Sequence, residues 1–178
     1  MATATLETER LVLRMFRETD LDAYADMCAD PEVMRYLGTG QCMSRAEAWR
    51  HMAMMAGHWQ MRGYGMWAVQ ERSSDEMIGR IGCWFPESWP GQEIGWTLRR
   101  AYWGRGYATE AAHAAVRFAF DQLNWPRVIS LIRPDNASSI RVAERLGERL
   151  DGQTQLQGFT VLVYAMSREE WDTNRQHD

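Results

Sequence analysis

The stretch from residue 93 to residue 109 changes its hydrophobic period halfway, and the change predicts a strand that leads into a helix. Apolar residues alternate with polar residues or glycine over 93–98, the period of two expected of a half-buried strand. From Thr109 onward alanine dominates and apolar residues recur at helical spacing, at Ala112, Ala115, Val116, Ala119 and Leu123. A turn with Gly104 and Gly106 joins the two patterns.

The chain before this stretch alternates between strand and helix patterns. Residues 10–14 predict a short strand, and Thr19 or Asp20 is a candidate cap for a helix that runs to about residue 29. Ser44 and Glu47 form a capping box that starts a second helix at about residue 45. From Met66 onward the period becomes two, which predicts three antiparallel strands separated by turn-rich segments.

The chain after the alanine helix predicts a buried strand, a short helix and two more strands. Residues 127–132 are almost continuously apolar, as in a strand covered on both faces. A helix follows and ends before Gly147, and the last strands lie around Arg149 and over 159–166. The order is therefore strand, two helices, three strands, helix, strand, helix, two strands.

Composition restricts the class of protein. With 178 residues, 46% hydrophobic residues and a net charge of -4, the chain is expected to form a single domain over residues 1–178 and to bind neither nucleic acid nor membrane. No apolar run approaches the length of a membrane helix, and the cytoplasm is the expected location. Three scattered cysteines predict packing residues, and no histidine spacing indicates a metal site. Lysine is absent, so the chain has no lysine for catalysis or self-acetylation.

The glycine loop has the chemistry of a phosphate site. The first turn of a helix leaves backbone N–H groups unpaired at the positive end of its dipole, which favours bound phosphate. Gly104 and Gly106 allow a close approach to the backbone, and Arg105 adds a positive charge. The loop has neither the third glycine of a dinucleotide fingerprint nor the Gly-Lys-Ser/Thr of a P-loop.

This loop resembles the pyrophosphate loop of the GNAT superfamily of N-acetyltransferases, whose pattern is Gln/Arg-x-x-Gly-x-Gly/Ala. Residues 103–108 occupy its six places, with Trp103 in place of the usual Gln or Arg. The longer string YWGRGYATEA, together with DPEVMRYLG near residue 30, resembles the RimJ/RimL-type subgroup.

The resemblance implies a fold and a co-substrate. The fold would be α/β, with a mixed, mostly antiparallel sheet of about seven strands that splays between strands 4 and 5, flanked by about four helices. Acetyl-CoA would place its pantetheine arm in the splayed gap, and no metal is expected. The residues that the resemblance assigns to acetyl-CoA are Trp96, Thr97, Leu98, Trp103, Gly104, Arg105, Gly106, Tyr107, Ala108, Thr109, Asn136 and Ser139.

The resemblance also suggests catalytic residues, each with a structural alternative. Glu93 would accept the proton of the amine, but it could equally be a surface strand residue or the ion-pair partner of Arg99 or Arg133. Ser139 would protonate the leaving thiolate, because Ala143 stands where many family members have tyrosine. Helix capping by Asn136 and its serine neighbours is the alternative there. A backbone N–H near Trp96 or Thr97 would bind the oxyanion.

Aromatic residues complete the predicted acceptor site. Some of Trp67, Trp84, Trp89 and Trp96 are expected to line the gap that receives the amine. The predicted function is transfer of an acetyl group to a primary amine, either a protein N-terminal α-amine or a small-molecule amine. The alternative is a non-catalytic acyl-CoA-binding or scaffold domain. A homodimer is compatible with the resemblance, although the sequence specifies no interface.

Overall fold

The structure, a computed structural model, describes residues 4–175, which form one mixed sheet with helices on both faces. The strands are β1 (Leu6–Glu7), β2 (Leu11–Arg14), β3 (Met66–Glu71), β4 (Met77–Trp84), β5 (Glu93–Leu98), β6 (Arg127–Ile132), β7 (Arg149–Leu156) and β8 (Phe159–Ser167). The helices are α1 (Leu21–Ala29), α2 (Pro31–Met34), α3 (Arg45–Arg62), α4 (Tyr107–Asp121), α5 (Ala137–Leu146) and α6 (Arg168–Arg175).

The strand order is β1-β2-β3-β4-β5-β6-β8-β7, and every neighbouring pair except β5 and β6 is antiparallel. The exception is the feature that shapes the site. β5 and β6 are parallel and share a single residue pair, Glu93 with Ile129, after which they diverge. The predicted splayed GNAT architecture is confirmed. The structure adds three elements to the predicted ones, namely the two-residue β1, the short α2 and the polar α6. Residues 4–175 therefore form eight strands and six α-helices.

Alternation along the central strands creates two apolar layers. In β3, Trp67 and Val69 face the core beneath α4, which buries the alanine-rich stripe of that helix. Met66 and Ala68 face the opposite side, where α1 and α3 pack with Tyr24 and several methionines. Successive strand residues point to opposite faces, so a sheet covered on both sides needs apolar residues at both sets of positions.

The helix starts follow local chemistry, with one correction. The capping box is confirmed, because Oγ of Ser44 accepts from the N–H of Glu47 at 3.4 Å and the Glu47 carboxylate accepts from the N–H of Ser44 at 2.8 Å. Asp20 does stand at the start of α1, but its side chain caps no N–H of that helix. Its carboxylate instead accepts from the N–H of Arg17 and forms a buried ion pair with Arg14 at 2.8 Å.

The cysteines were only partly predicted. Cys28 and Cys83 are buried packing residues, as expected, but Cys42 is exposed in the loop before α3, so its assignment to packing was wrong. No helix within residues 4–175 has the length and apolar character needed to cross a membrane.

Candidate active site

The divergence of β5 and β6 leaves backbone groups of β5 facing a gap. Ile94 directs its carbonyl toward β6, where the Ser130 hydroxyl donates to it at 3.0 Å. Arg99 directs its N–H the other way, to the carbonyl of Ile78 at 2.8 Å on the β4 side. Because N–H and C=O directions alternate along a strand, Trp96 presents its N–H to the gap, whereas Thr97 presents its N–H to β4.

Glu93 lies at the closed end of this gap, on the face of the sheet covered by α1 and α3. The indole N–H of Trp89 donates to its carboxylate at 2.6 Å. Burial raises the pKa of Glu93 to about 7, and the Trp89 hydrogen bond opposes part of that rise. The carboxyl group therefore titrates near neutral pH, which suits an acceptor of protons.

The predicted structural alternative for Glu93 does not occur. Arg99 pairs with Glu76 at 3.3 Å, and Arg133 donates to the carbonyl oxygen of Gly38 at 2.9 Å. Among residues 4–175, no ion pair involves the Glu93 carboxylate. It is a partly buried carboxyl group that accepts from the Trp89 indole and from the backbone at Leu131, rather than half of a surface salt bridge.

A second carboxyl group, missed in the sequence, lies behind Glu93. Glu148 is 2% exposed, and the Ser130 hydroxyl lies 3.0 Å from its Oε1. Burial raises the pKa of Glu148 to about 8; Ser130 opposes the rise and the charge of Glu93 adds to it. The single proton of Ser130 also faces the Ile94 carbonyl. A protonated Glu148 that donates from Oε1 to Ser130 therefore satisfies both the Ser130 hydroxyl and the Ile94 carbonyl.

A cavity of about 650 Å³ extends from Glu93 over the α1 and α3 face. Three of the four candidate tryptophans, Trp84, Trp89 and Trp96, line it, as predicted. Trp67 does not, because it is fully buried in the core beneath α4. Six methionines also line it, namely Met27, Met34, Met43, Met54, Met55 and Met66. Within residues 4–175 no cluster of histidine, cysteine or acidic residues is arranged to hold a metal ion.

The cavity also contains a cation that sequence reasoning missed. Arg80 projects from β4, is partly buried and lines the cavity together with Tyr24 and His51. The Tyr24 hydroxyl lies 2.7 Å from Nδ1 of His51. Burial raises the pKa of Tyr24, with Arg80 opposing the rise, and burial together with Arg80 lowers the pKa of His51 to about 3. Tyrosine and histidine are therefore both neutral at pH 7.

The glycine loop has the open geometry that a bound phosphate requires. Gly104 and Gly106 adopt φ of 74° and 80°, the left-handed region that disfavours other residues. Nothing lies within 4 Å of where a Cβ of Gly104 would be. Gly106 is the N-cap of α4, and the first N–H paired within the helix is that of Glu110, 3.0 Å from the Gly106 carbonyl. The N–H groups of Tyr107, Ala108 and Thr109 are the unpaired first-turn donors.

The side chains around the loop have separate roles. Trp103, at the departure from the family pattern, donates its indole N–H to the Leu98 carbonyl at 2.8 Å and thereby ties the loop to β5. Glu110 lies in the first turn of α4, but its carboxylate accepts a hydrogen bond from the Thr8 hydroxyl and forms an ion pair with Arg10 at 2.6 Å. The exposed Arg105 is the cation nearest the two loop glycines in sequence. The loop surface is therefore suited to an anion.

Asn136 and Ser139 meet at the start of α5, next to the gap. The Asn136 side chain accepts from the N–H of Ser139 at 3.2 Å, so it does cap the helix. The Ser139 hydroxyl remains available for chemistry, because the cap uses only its backbone. The indole N–H of Trp96 donates to that hydroxyl at 3.3 Å and joins α5 to β5.

A splayed sheet, an anion-binding helix start at one side of the gap and a buried carboxyl group at its closed end together define an acetyltransferase of the GNAT class. The comparisons with known proteins agree. Residues 10–149 match the family model described as acetyltransferase (GNAT) domain, so the chain belongs to this family and is an acyltransferase.

The similarity to known proteins extends over nearly the whole chain. An uncharacterized N-acetyltransferase, p20 of Bacillus licheniformis, is 31% identical over 169 residues that cover 92% of this chain and 94% of the relative. A crystal structure of an acetyltransferase from Agrobacterium tumefaciens is 34% identical, with a TM-score of 0.83 over 94% of this chain and 96% of that one. RimL, a ribosomal L7/L12 alpha-N-protein acetyltransferase solved with coenzyme A, is 23% identical with a TM-score of 0.77, over 92% and 98% of the two chains. That last similarity concerns the fold alone.

Proposed function

We propose that the protein is an acetyl-CoA-dependent N-acetyltransferase that moves the acetyl group directly to a primary amine. The observation that carries the proposal is the position of Glu93. Its carboxyl group, with a pKa raised to about 7, lies where the gap between β5 and β6 meets the methionine-lined cavity. A proton acceptor is needed at the junction of two substrate sites.

The residues along the gap fit acetyl-CoA. The loop formed by Trp103, Gly104, Arg105 and Gly106, with the first-turn N–H groups of Tyr107, Ala108 and Thr109, would hold the pyrophosphate. The gap-facing backbone groups of Trp96 and Leu98, with Thr97 between them bonded to β4, would pair with the pantetheine arm, with Asn136 and Ser139 on the opposite side. When bound there, acetyl-CoA supplies an activated acetyl thioester. The strings YWGRGYATEA and DPEVMRYLG support placement in the RimJ/RimL-type subgroup.

Three groups of this chain would share the chemistry. An alkyl ammonium has a pKa of about 10, so the Glu93 carboxylate removes its proton directly or through water and leaves a nucleophilic amine. As the C–N bond forms, the carbonyl oxygen gains negative charge, which the gap-facing N–H of Trp96 stabilises. As the C–S bond breaks, the Ser139 hydroxyl donates a proton to the thiolate and is reprotonated by the proton that the nitrogen loses as the amide forms.

The test has two stages, beginning with thermal melting in the presence and absence of acetyl-CoA. Ligand at about 100 times its dissociation constant stabilises the folded state by roughly 2.7 kcal/mol, a shift of several degrees for a chain of this size. Arg105→Glu should shrink the shift, whereas the exposed Arg50→Glu on α3 should not. Turnover of a panel of primary amines then tests transfer. Binding without turnover of any amine would instead support the non-catalytic acyl-CoA-binding domain.

A further inference from the structure

Arg80 is a positive charge inside the cavity that forms no ion pair with the described part of the chain. The eleven ion pairs among residues 4–175 all involve other residues. Tyr24 and His51, which line the cavity with it, are both neutral at pH 7, and the Glu93 carboxyl group in the same cavity attracts Arg80 from beyond ion-pair distance. A partly buried guanidinium with five donors and no carboxylate in contact is costly unless a ligand supplies the partner.

The position of Arg80 relates it to the reacting centre. Arg80 pairs with Thr97 and Trp84 pairs with Glu93 across β4 and β5, so Arg80 and Glu93 project from the same face of the sheet. Their Cα atoms lie roughly 14 Å apart, from four residues of strand and one strand spacing. Both side chains line one cavity, and Arg80 opposes the raised pKa of Glu93. A single small molecule can therefore contact both.

We infer that Arg80 binds a carboxylate of the acceptor, so that the amine substrate is an amino acid or dipeptide with an apolar side chain and a free carboxyl group. This assignment rests on the proposed function and adds the substrate class. A guanidinium binds carboxylates through two parallel hydrogen bonds, which fixes orientation as well as charge. Met34, Met55 and Trp84 line the same cavity and suit an apolar side chain.

The experiment compares acids with their amides. Methionine, leucine and leucyl-leucine are assayed beside methioninamide, leucinamide and leucyl-leucinamide, each with wild type, Arg80→Gln, Arg80→Lys and Arg50→Gln. Amides have less basic amines than the acids, but that difference is the same for every variant. The acid-to-amide ratio of kcat/KM in one variant divided by the ratio in wild type therefore isolates the carboxylate contact.

Because Arg80→Gln removes a charged hydrogen-bond partner of the carboxylate, it should lower the acid-to-amide ratio of kcat/KM about 10- to 100-fold relative to wild type. Arg80→Lys keeps the charge but loses the two parallel hydrogen bonds, so its acid-to-amide ratio should lie between those of Arg80→Gln and wild type. The ratio of Arg50→Gln should match that of wild type. A ratio unchanged within about twofold in Arg80→Gln would overturn the assignment while leaving amine acetylation intact.

A binding measurement separates failure of this inference from failure of the proposed function. Titration calorimetry with N-acetylmethionine and N-acetylmethioninamide requires no turnover. Wild type should bind the acid at least about tenfold more tightly than Arg80→Gln does, with the amide bound alike by both. Equal binding of the acid by both proteins would refute the role of Arg80. If binding differs as expected but no amine is acetylated, the carboxylate site stands and the transfer reaction does not.

Discussion

The buried carboxyl group of Glu148 makes the stability of the protein depend on pH in a defined direction. The perturbation is Glu148→Gln, which preserves shape but cannot ionise. Burial raises the pKa of Glu148 from 4.5 to about 8, so the folded state holds a proton that the unfolded state releases above about pH 4.5. Between these two values the folded state binds more protons, and its stability falls as pH rises.

The size of the effect follows from the two pKa values. One proton of difference costs about 1.4 kcal/mol of unfolding free energy per pH unit in that window. From pH 5 to pH 8, the ionisation of Glu148 therefore removes on the order of 3 kcal/mol from wild type and nothing from Glu148→Gln. At pH 5 the variant should be the less stable protein, since Oε2 of Glu148 has no hydrogen-bond partner in the described structure and an amide there buries extra donors.

Urea unfolding monitored by tryptophan fluorescence at pH 5, 6, 7 and 8 measures this difference directly. The free energy of unfolding of Glu148→Gln minus that of wild type should rise with each step. Glu144→Gln, an exposed carboxyl group on α5, is the matched control and should give a difference that does not depend on pH. A flat difference for Glu148→Gln, or one that falls toward pH 8, would refute the assignment of a raised pKa.

Three further variants test the proposed chemistry and the helix cap beside it. Glu93→Gln should lower kcat about 100-fold or more and remove the rise of turnover with pH near 7, because the base is then absent; full turnover at all pH values would exclude Glu93 as the base. Ser139→Ala should lower kcat without loss of stability, because the backbone N–H of residue 139 still donates to the Asn136 side chain. Asn136→Ala removes that cap and should cost about 1 kcal/mol of unfolding free energy. Chemical denaturation and steady-state rates measure both, and unchanged turnover in Ser139→Ala would remove that hydroxyl from the mechanism.

The sequence predicted those parts of the site that have a local signature. The passage from β5 through the glycines to α4 is visible because the hydrophobic period changes from two to 3.6 around residues that permit positive φ. The capping box at Ser44 is likewise a local pattern, and it formed as predicted.

The missed residues have in common that only tertiary packing reveals them. Glu148 follows Gly147 in a polar segment, and nothing nearby in sequence shows that Ser130 and the closed end of the gap will enclose it. Arg80 alternates normally with apolar residues in β4, as a solvent-facing arginine would. Its place in a cavity, without an ion pair, appears only when α1 and α3 cover that face.

The single residue pair between β5 and β6 has a consequence for cooperativity. It divides the sheet into a half formed by β1 to β5 and a half formed by β6 to β8. Beyond that pair, side-chain contacts such as Ser130 with Ile94 and Trp96 with Ser139 link the halves across the gap. Sub-global opening along this seam therefore breaks fewer backbone hydrogen bonds than opening elsewhere in the sheet. A molecule that forms hydrogen bonds with both β5 and β6 takes the place of a strand between them. Its binding therefore makes the two halves of the sheet unfold as one unit.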